Sequence, residues 1–262
     1  MIVFSRVTKT YGEAVALSDV TFTVNPKECV CITGPAKAGK STLIRLLLRA
    51  EAPSKGTASV DNVDLQIVPP AILRLYRQRI GLKLAEDNLF LRKTVAENLA
   101  FPLLLRGIGA RECSRSARNM MERLGLLEHA ELRPSHLSAE ERTLLGLGRA
   151  LIVHPMILLL DEPFADLSLD AFALASSLLT EAHRSGTTVI CCSRDESIAS
   201  VLNARHIRIA AGKIIDDTPS TSADVSPPLS SEIHNILARL LLPRRSQPTK
   251  EKETRNVEVV AG

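Results

Sequence analysis

The run Gly34-Pro35-Ala36-Lys37-Ala38-Gly39-Lys40-Ser41 decides the fold. It follows a strand-like stretch at residues 28–33 and opens a helical pattern from Lys40 to Arg49. The spacing is that of the phosphate-binding P-loop, G-x-x-x-x-G-K-[ST], in the strand–loop–helix setting that the motif requires. Glycines let backbone N–H groups turn inward around a phosphate, and a helix N-terminus adds partial positive charge. Lys40 is placed to reach the β- and γ-phosphates of a nucleoside triphosphate, and Ser41 to hold Mg²⁺. The candidate nucleotide-binding residues are therefore Gly34, Pro35, Ala36, Lys37, Ala38, Gly39, Lys40, Ser41 and the adjoining Thr42.

Outward from this motif, apolar runs alternate with helical ones. Residues 2–8, 19–24 and 57–65 read as strands. Residues 94–151 are mostly helical, punctuated by Pro102, Gly107, Gly109 and Pro134. Met156 to Leu160 is a short continuous apolar run, as expected of a strand buried on both faces. A helix at about 169–184 leads to a second such run at 187–192, and a hairpin turning at 211–213 closes the body near 217. This alternation predicts an α/β P-loop NTPase with a mostly parallel core sheet, an N-terminal antiparallel β subdomain and an inserted helical subdomain at about 85–153. Asp161 and Glu162 end the first buried run, where ligands of open α/β sheets sit. Asp161 is placed to hold Mg²⁺, and Glu162 to polarise an attacking water.

Composition narrows the classes. The chain has 262 residues, 45% hydrophobic and 24% charged, enough for a sizeable core. Aromatics are 3% with no Trp, so the core is aliphatic and stacking on single-stranded nucleic acid is disfavoured. No apolar run approaches the ~20 residues that span a bilayer, and the N-terminus lacks a signal-peptide layout. The five Cys, at irregular positions, read as buried thiols of a reducing compartment. The net charge is +4, of which +3 falls within residues 239–262. Basicity thus belongs mainly to a tail, and no nucleic-acid partner is expected.

The order and spacing of the motifs over residues 1–215 resemble the ATP-binding cassette (ABC) ATPases. Tyr11 fits that family's adenine-stacking aromatic, Leu137-Ser138 with Glu141 falls where its signature lies, and Gly146 to Leu151 resembles the segment after it. Arg79-Ile80-Gly81 and Glu97 to Leu103 look most like the cell-division and lipoprotein-release branch. The resemblance implies a sandwich dimer, homodimer or heterodimer, with each ATP held between one P-loop and the partner's signature, here through Ser138. It also implies docking on an integral-membrane subunit at the cytoplasmic face of the membrane. Phe90, Phe101, Pro102 and Leu103 to Leu105 either line the docking groove or pack the helices internally.

Several positions depart from the family pattern. Its Gln after the strand near Leu84 is Ala85, followed by Glu86. The signature glycines are Ala139 and Glu140, the following Asp is Ser168, and the switch His is Arg194. Ala139 adds a Cβ whose effect depends on local φ, and Glu140 brings negative charge towards an anion unless it turns away. Arg194 can stabilise transition-state charge as an arginine finger does, but cannot shuttle a proton as His does. Two readings stand: an ATPase subunit that turns over slowly, with Glu162 and Arg194 as catalytic groups, or an ATP-binding structural or regulatory module. A P-loop kinase leaves the Leu-Ser segment and the helical block unexplained.

Past residue 217 the composition changes. Residues 218–231, rich in Ser, Thr and Pro, read as a linker, and 243–262 as a disordered basic tail. Between them, Leu229, Ile233, Ile236, Leu237, Leu240 and Leu241 form one helical stripe over 229–242. It folds back on the body, binds a partner or second copy, or lies on lipid.

Overall fold

The computed structural model describes residues 1–85 and 89–220. Glu86, the stripe at 229–242, the tail, and all but the first residues of the expected linker lie outside them.

The N-terminal sheet has the order β2-β1-β4-β5, built from β1 (Ile2–Tyr11), β2 (Ala14–Val24), β4 (Lys55–Val60) and β5 (Val63–Asp64), all antiparallel. β1 and β2 run longer than the sequence reading. The expected single strand at 57–65 is two. Asp61 and Asn62 both adopt positive φ, 48° and 65°, and turn the chain in a two-residue hairpin between β4 and β5. Asp and Asn tolerate that region better than most residues, and their polarity broke the apolar pattern only slightly.

The core sheet has the order β10-β9-β3-β8-β7-β6. β3 (Cys29–Thr33), β6 (Ile80–Lys83), β7 (Ile157–Asp161), β8 (Thr188–Ser193) and β9 (Arg205–Ala210) are parallel, and β10 (Lys213–Thr218) returns antiparallel. β3, β7 and β8 are buried along their whole length, which is why they read as unbroken apolar runs.

α1 (Lys40–Leu47) follows β3, and α2 (Pro70–Gln78), a helix that the sequence reading did not anticipate, starts with Pro70 at its first position. Between β6 and β7 stand α3 (Val95–Leu104), α4 (Ala110–Leu124) and α5 (Ala139–Leu151). α6 (Leu169–Arg184) and the short α7 (Ser197–Val201) complete the chain order. Pro102 was expected to punctuate this block, yet it lies inside α3. Its ring costs a helical hydrogen bond. The other end of α3 compensates through a Thr94–Glu97 capping box and through Asn98, whose amide donates to three carbonyls, including that of Phe90 at 3.1 Å.

Two apolar clusters flank the core sheet. One joins it to the N-terminal sheet, α1 and α2, and the other to α3–α6. Both are mainly aliphatic, as the composition requires. Among the described residues the fully buried aromatic contact is Phe4 stacked on Phe22, with ring centroids 4.7 Å apart. All five cysteines are buried and free. Burial pushes the Cys29 thiol up to about 12 and raises Cys192, while Cys191 is raised by its hydrogen bond with Cys31 and then by burial. Cys29, Cys191 and Cys192 stay protonated packing groups.

Candidate nucleotide site

The loop after β3 is shaped by close approach. A Cβ on Gly34 would meet the Ile209 carbonyl oxygen at 2.0 Å. At Gly39, where φ is 105°, it would meet the Ala16 carbonyl oxygen at 2.4 Å. Lys37 also has positive φ, 64°, so positive φ recurs at residues 37 and 39 before α1, as it does in an anion-binding nest. Pro35, Ala36 and Lys37 are exposed, while Ala38, Gly39 and Lys40 are buried. The Lys40 ammonium lies inside the loop and donates to the Gly34 carbonyl at 2.6 Å and the Pro35 carbonyl at 3.0 Å. Ser41 and Thr42 follow on α1, and Lys37 to Thr42 face Ala14, Val15 and Ala16 of β2 across a depression.

Sheet register brings the acids to this loop. Thr33 at the end of β3 pairs with Ser193 at the end of β8, and Asp161 at the end of β7 pairs with Cys192. Asp161 is buried. Glu162 takes a left-handed φ of 48°, and its amide donates to the Cys192 carbonyl at 2.9 Å. Its carboxylate is held from three directions. The Arg194 Nε lies 3.3 Å from Oε1, the Arg194 amide donates to Oε2 at 3.2 Å, and the Ser193 hydroxyl donates to Oε2 at 3.5 Å. Arg194 therefore faces the acid at the water-polarising position, a pairing that the sequence did not announce. Lys83 on β6 was also missed. It is buried, and its Nζ donates to the Glu162 carbonyl at 3.2 Å. Its signal was a lone cation inside the strand-like run Ile80 to Leu84.

The Ser138 segment has a structural job of its own. Ser138 caps α5 in a capping box. Its hydroxyl accepts from the Glu141 amide at 3.2 Å, and its amide donates to Glu141 Oε2 at 2.7 Å. Ala139 is the first helical residue, with no positive φ, so its Cβ brings no backbone strain. Glu140 turns to α6. Its Oε2 accepts from the Ser168 amide at 2.6 Å, and hydrogen bonds from Ser168 hold its carboxyl below the usual range. Ser168 is itself the cap of α6.

Tyr11 stands at the end of β1, exposed, with its hydroxyl donating to Glu51 and the Lys9 ammonium 5.0 Å from its ring centroid. It does not line the depression over the loop. Of the groove candidates, Leu103 is buried in the helical cluster, while Phe90, Leu104 and Leu105 are exposed.

A glycine-shaped loop with a buried lysine, facing an acidic strand end two strands away, defines a P-loop nucleotide-binding domain. The comparisons narrow the class. Residues 17–165 match the ABC transporter family, and the chain belongs to that family. The methionine import ATP-binding protein MetN of Xanthomonas euvesicatoria is 34% identical over 232 residues, 87% of this chain and 69% of that protein. MetN of Caulobacter vibrioides is 35% identical over 220 residues, 83% of this chain and 66% of that protein. Among solved structures, the dimeric post-hydrolysis state of the ATP-binding cassette MJ0796, bound to ADP and Pi, superposes with a TM-score of 0.79. It is 26% identical and covers 85% of this chain and 100% of that one. These relatives are importer subunits and a transporter cassette, so they show a likeness to transport ATPases at large, coarser than the cell-division and lipoprotein-release branch that two short segments suggested.

Proposed function

We propose that the chain is the ATP-binding subunit of an ABC membrane transport complex. It binds Mg-ATP on Gly34 to Thr42 and hydrolyses it slowly through Glu162. The observation that carries this reading is the juxtaposition of the Lys40 cradle after β3 with Asp161 and Glu162 at the end of β7, two strands away at the same end of the core sheet. The Ser41 hydroxyl and the Asp161 carboxylate are hard oxygen donors, the type that Mg²⁺ takes alongside phosphate oxygens. Bound there, the ion would neutralise phosphate charge. Lys40 would exchange its two loop carbonyls for phosphate oxygens, and Glu162 would orient and deprotonate the attacking water. Slow turnover follows from Arg194, which holds that carboxylate, and from Ala85, which has no side-chain donor or acceptor.

The dimeric relative supports a cassette pair, homodimer or heterodimer, with Ser138 facing the partner's nucleotide. The importer relatives support docking on an integral-membrane subunit at the cytoplasmic face, with Phe90, Leu104 and Leu105 as the exposed apolar contacts. They also make methionine the first substrate to test. Steady-state phosphate release with Mg-ATP, measured beside a Glu162→Gln control, decides the catalytic part. Release above the control supports an ATPase. Release equal to it, with ATP still bound, replaces that reading with an ATP-binding regulatory module.

A further inference from the structure

Among the described residues three cations are buried, Lys40, Lys83 and Arg149. Lys40 lies in the phosphate loop, and the Arg149 guanidinium sits 5.2 Å from the centroid of the Phe90 ring. Lys83 takes part in neither arrangement. It closes β6, opposite Leu160 of β7. An ammonium taken out of water carries a desolvation penalty that an apolar side chain of the same length avoids. The group that such a charge reaches is therefore informative.

The fold routes this side chain under α5. Gly81 and Lys83 point to the same face of β6. A Cβ on Gly81 would meet the Ala150 carbonyl oxygen at 2.3 Å, so α5 lies directly against that face. A Cβ on Gly146 would stand 3.5 Å from Lys83 Cγ, so the stem passes beneath the helix at a glycine. At the carboxyl end of the sheet the ammonium donates to the Glu162 carbonyl at 3.2 Å.

Glu162 is a residue that has to be held. Its φ of 48° lies in a region that a non-glycine residue keeps where its surroundings enforce it. Its amide donates to the Cys192 carbonyl at 2.9 Å, and its carbonyl accepts from the Ala165 amide at 3.3 Å as well as from Lys83. The first bond anchors the turn to β8, the second closes the turn on itself, and Lys83 ties it to β6.

We propose that Lys83 is a positioning residue for hydrolysis, whose ammonium fixes the left-handed turn from which the Glu162 carboxylate projects. Without it the carbonyl rests on the Ala165 amide, and the turn loses its tie to β6. The carboxylate then swings away from the water that it orients, and a displacement of about 1 Å at such a group costs on the order of 100-fold in rate. Lys83 acts through the Glu162 backbone, so nucleotide affinity, which belongs to Gly34 to Thr42, is left intact. The catalytic consequence rests on the chain being an ATPase, whereas the tie between turn and strand does not.

Lys83→Met in the full chain keeps most of the side-chain length and removes the donor. Hydrogen exchange, followed by mass spectrometry, should quicken about tenfold or more on peptides spanning 161–166, as expected for loss of a hydrogen bond to a charged group. The same measurement over α1 should match the parent. At saturating Mg-ATP, kcat for phosphate release should fall about 10- to 100-fold, while the Kd of a fluorescent ATP analogue stays within about twofold. Unchanged exchange at 161–166 overturns the proposal. So does quickening shared equally by α1, which would make Lys83 a packing residue. A loosened turn with unchanged kcat overturns it too, as does a loss of ATP affinity at unchanged kcat. If the parent releases phosphate no faster than Glu162→Gln, the ATPase reading falls by itself, and exchange at 161–166 still upholds or overturns the tie. Lys83→Gln, uncharged and one bond shorter, is read by the same outcomes should the first variant not fold.

Discussion

Replacing Arg194 by Ala tests how the catalytic carboxylate is controlled. The guanidinium lies 3.3 Å from Glu162 Oε1, while the Arg194 amide and the Ser193 hydroxyl hold Oε2. The variant loses only the first contact, because the amide belongs to the backbone. Two unit charges at this separation attract by about 5 kcal/mol at an effective dielectric near 20. The Arg194 side chain is 65% exposed, so water screens most of that attraction. A net of about 0.2–1 kcal/mol is the usual worth of such a pair. If Glu162 must leave Arg194 to take a proton from water, that amount is added to the barrier. At about 1.4 kcal/mol per tenfold, removing it speeds turnover about 1.4- to 5-fold. Steady-state phosphate release at saturating Mg-ATP measures this directly. A second signature is salt, since added salt should narrow the gap between the parent protein and the variant by weakening the pair in the parent. A fall to the level of Glu162→Gln would refute the reasoning. It would mean that Arg194 stabilises the transition state itself, as an arginine finger does.

Three further outcomes are expected. Gly39→Ala places a Cβ 2.4 Å from the Ala16 carbonyl at a φ of 105°, so a fluorescent ATP analogue should lose saturable binding. Binding retained at the parent affinity would show that the loop is not the nucleotide site. Ser138→Ala removes the cap of α5 and should cost about 1 kcal/mol. For a domain of this size that lowers Tm by about 2–4 °C in calorimetry. Burial alone would raise the carboxyl of Glu51, but hydrogen bonds from Tyr11 and Lys9 and the charges of Lys9 and Arg45 outweigh it and hold it below 4.5. A depressed folded value means that this stabilisation is whole above about pH 4.5 and is lost as pH falls through the folded value. Glu51→Gln should therefore flatten the acid limb of a stability–pH curve, and an unchanged limb would count against the pairing.

Local chemistry carried most of the fold into the sequence. Gly34 to Ser41 needs only its own glycines, the strand before it and the helix after it, so eight consecutive residues disclosed it. The buried strands β7 and β8 disclosed themselves because both faces are covered and every residue is apolar except at the ends. Asp161 and Glu162 stood out for the converse reason, since two acids closing such a run have no place in its core. The hairpin at Asp61-Asn62 and the helix starting at Pro70 stayed hidden because their signals span only a few residues.

Tertiary structure decided how these groups are employed. Arg194 meets Glu162 across 32 residues, Glu140 meets Ser168 across 28, Tyr11 meets Glu51 across 40 and Lys83 meets Glu162 across 79. None of these pairings follows from spacing: strand order and register place Lys83 and the strand ends that carry Glu162 and Arg194, while the packing of α5 against α6 places Glu140 beside Ser168. The sequence by itself determined that the chain binds phosphate at a strand–loop–helix junction with acids nearby. Only the tertiary structure decided that an arginine holds one of those acids and that Glu140 reaches Ser168.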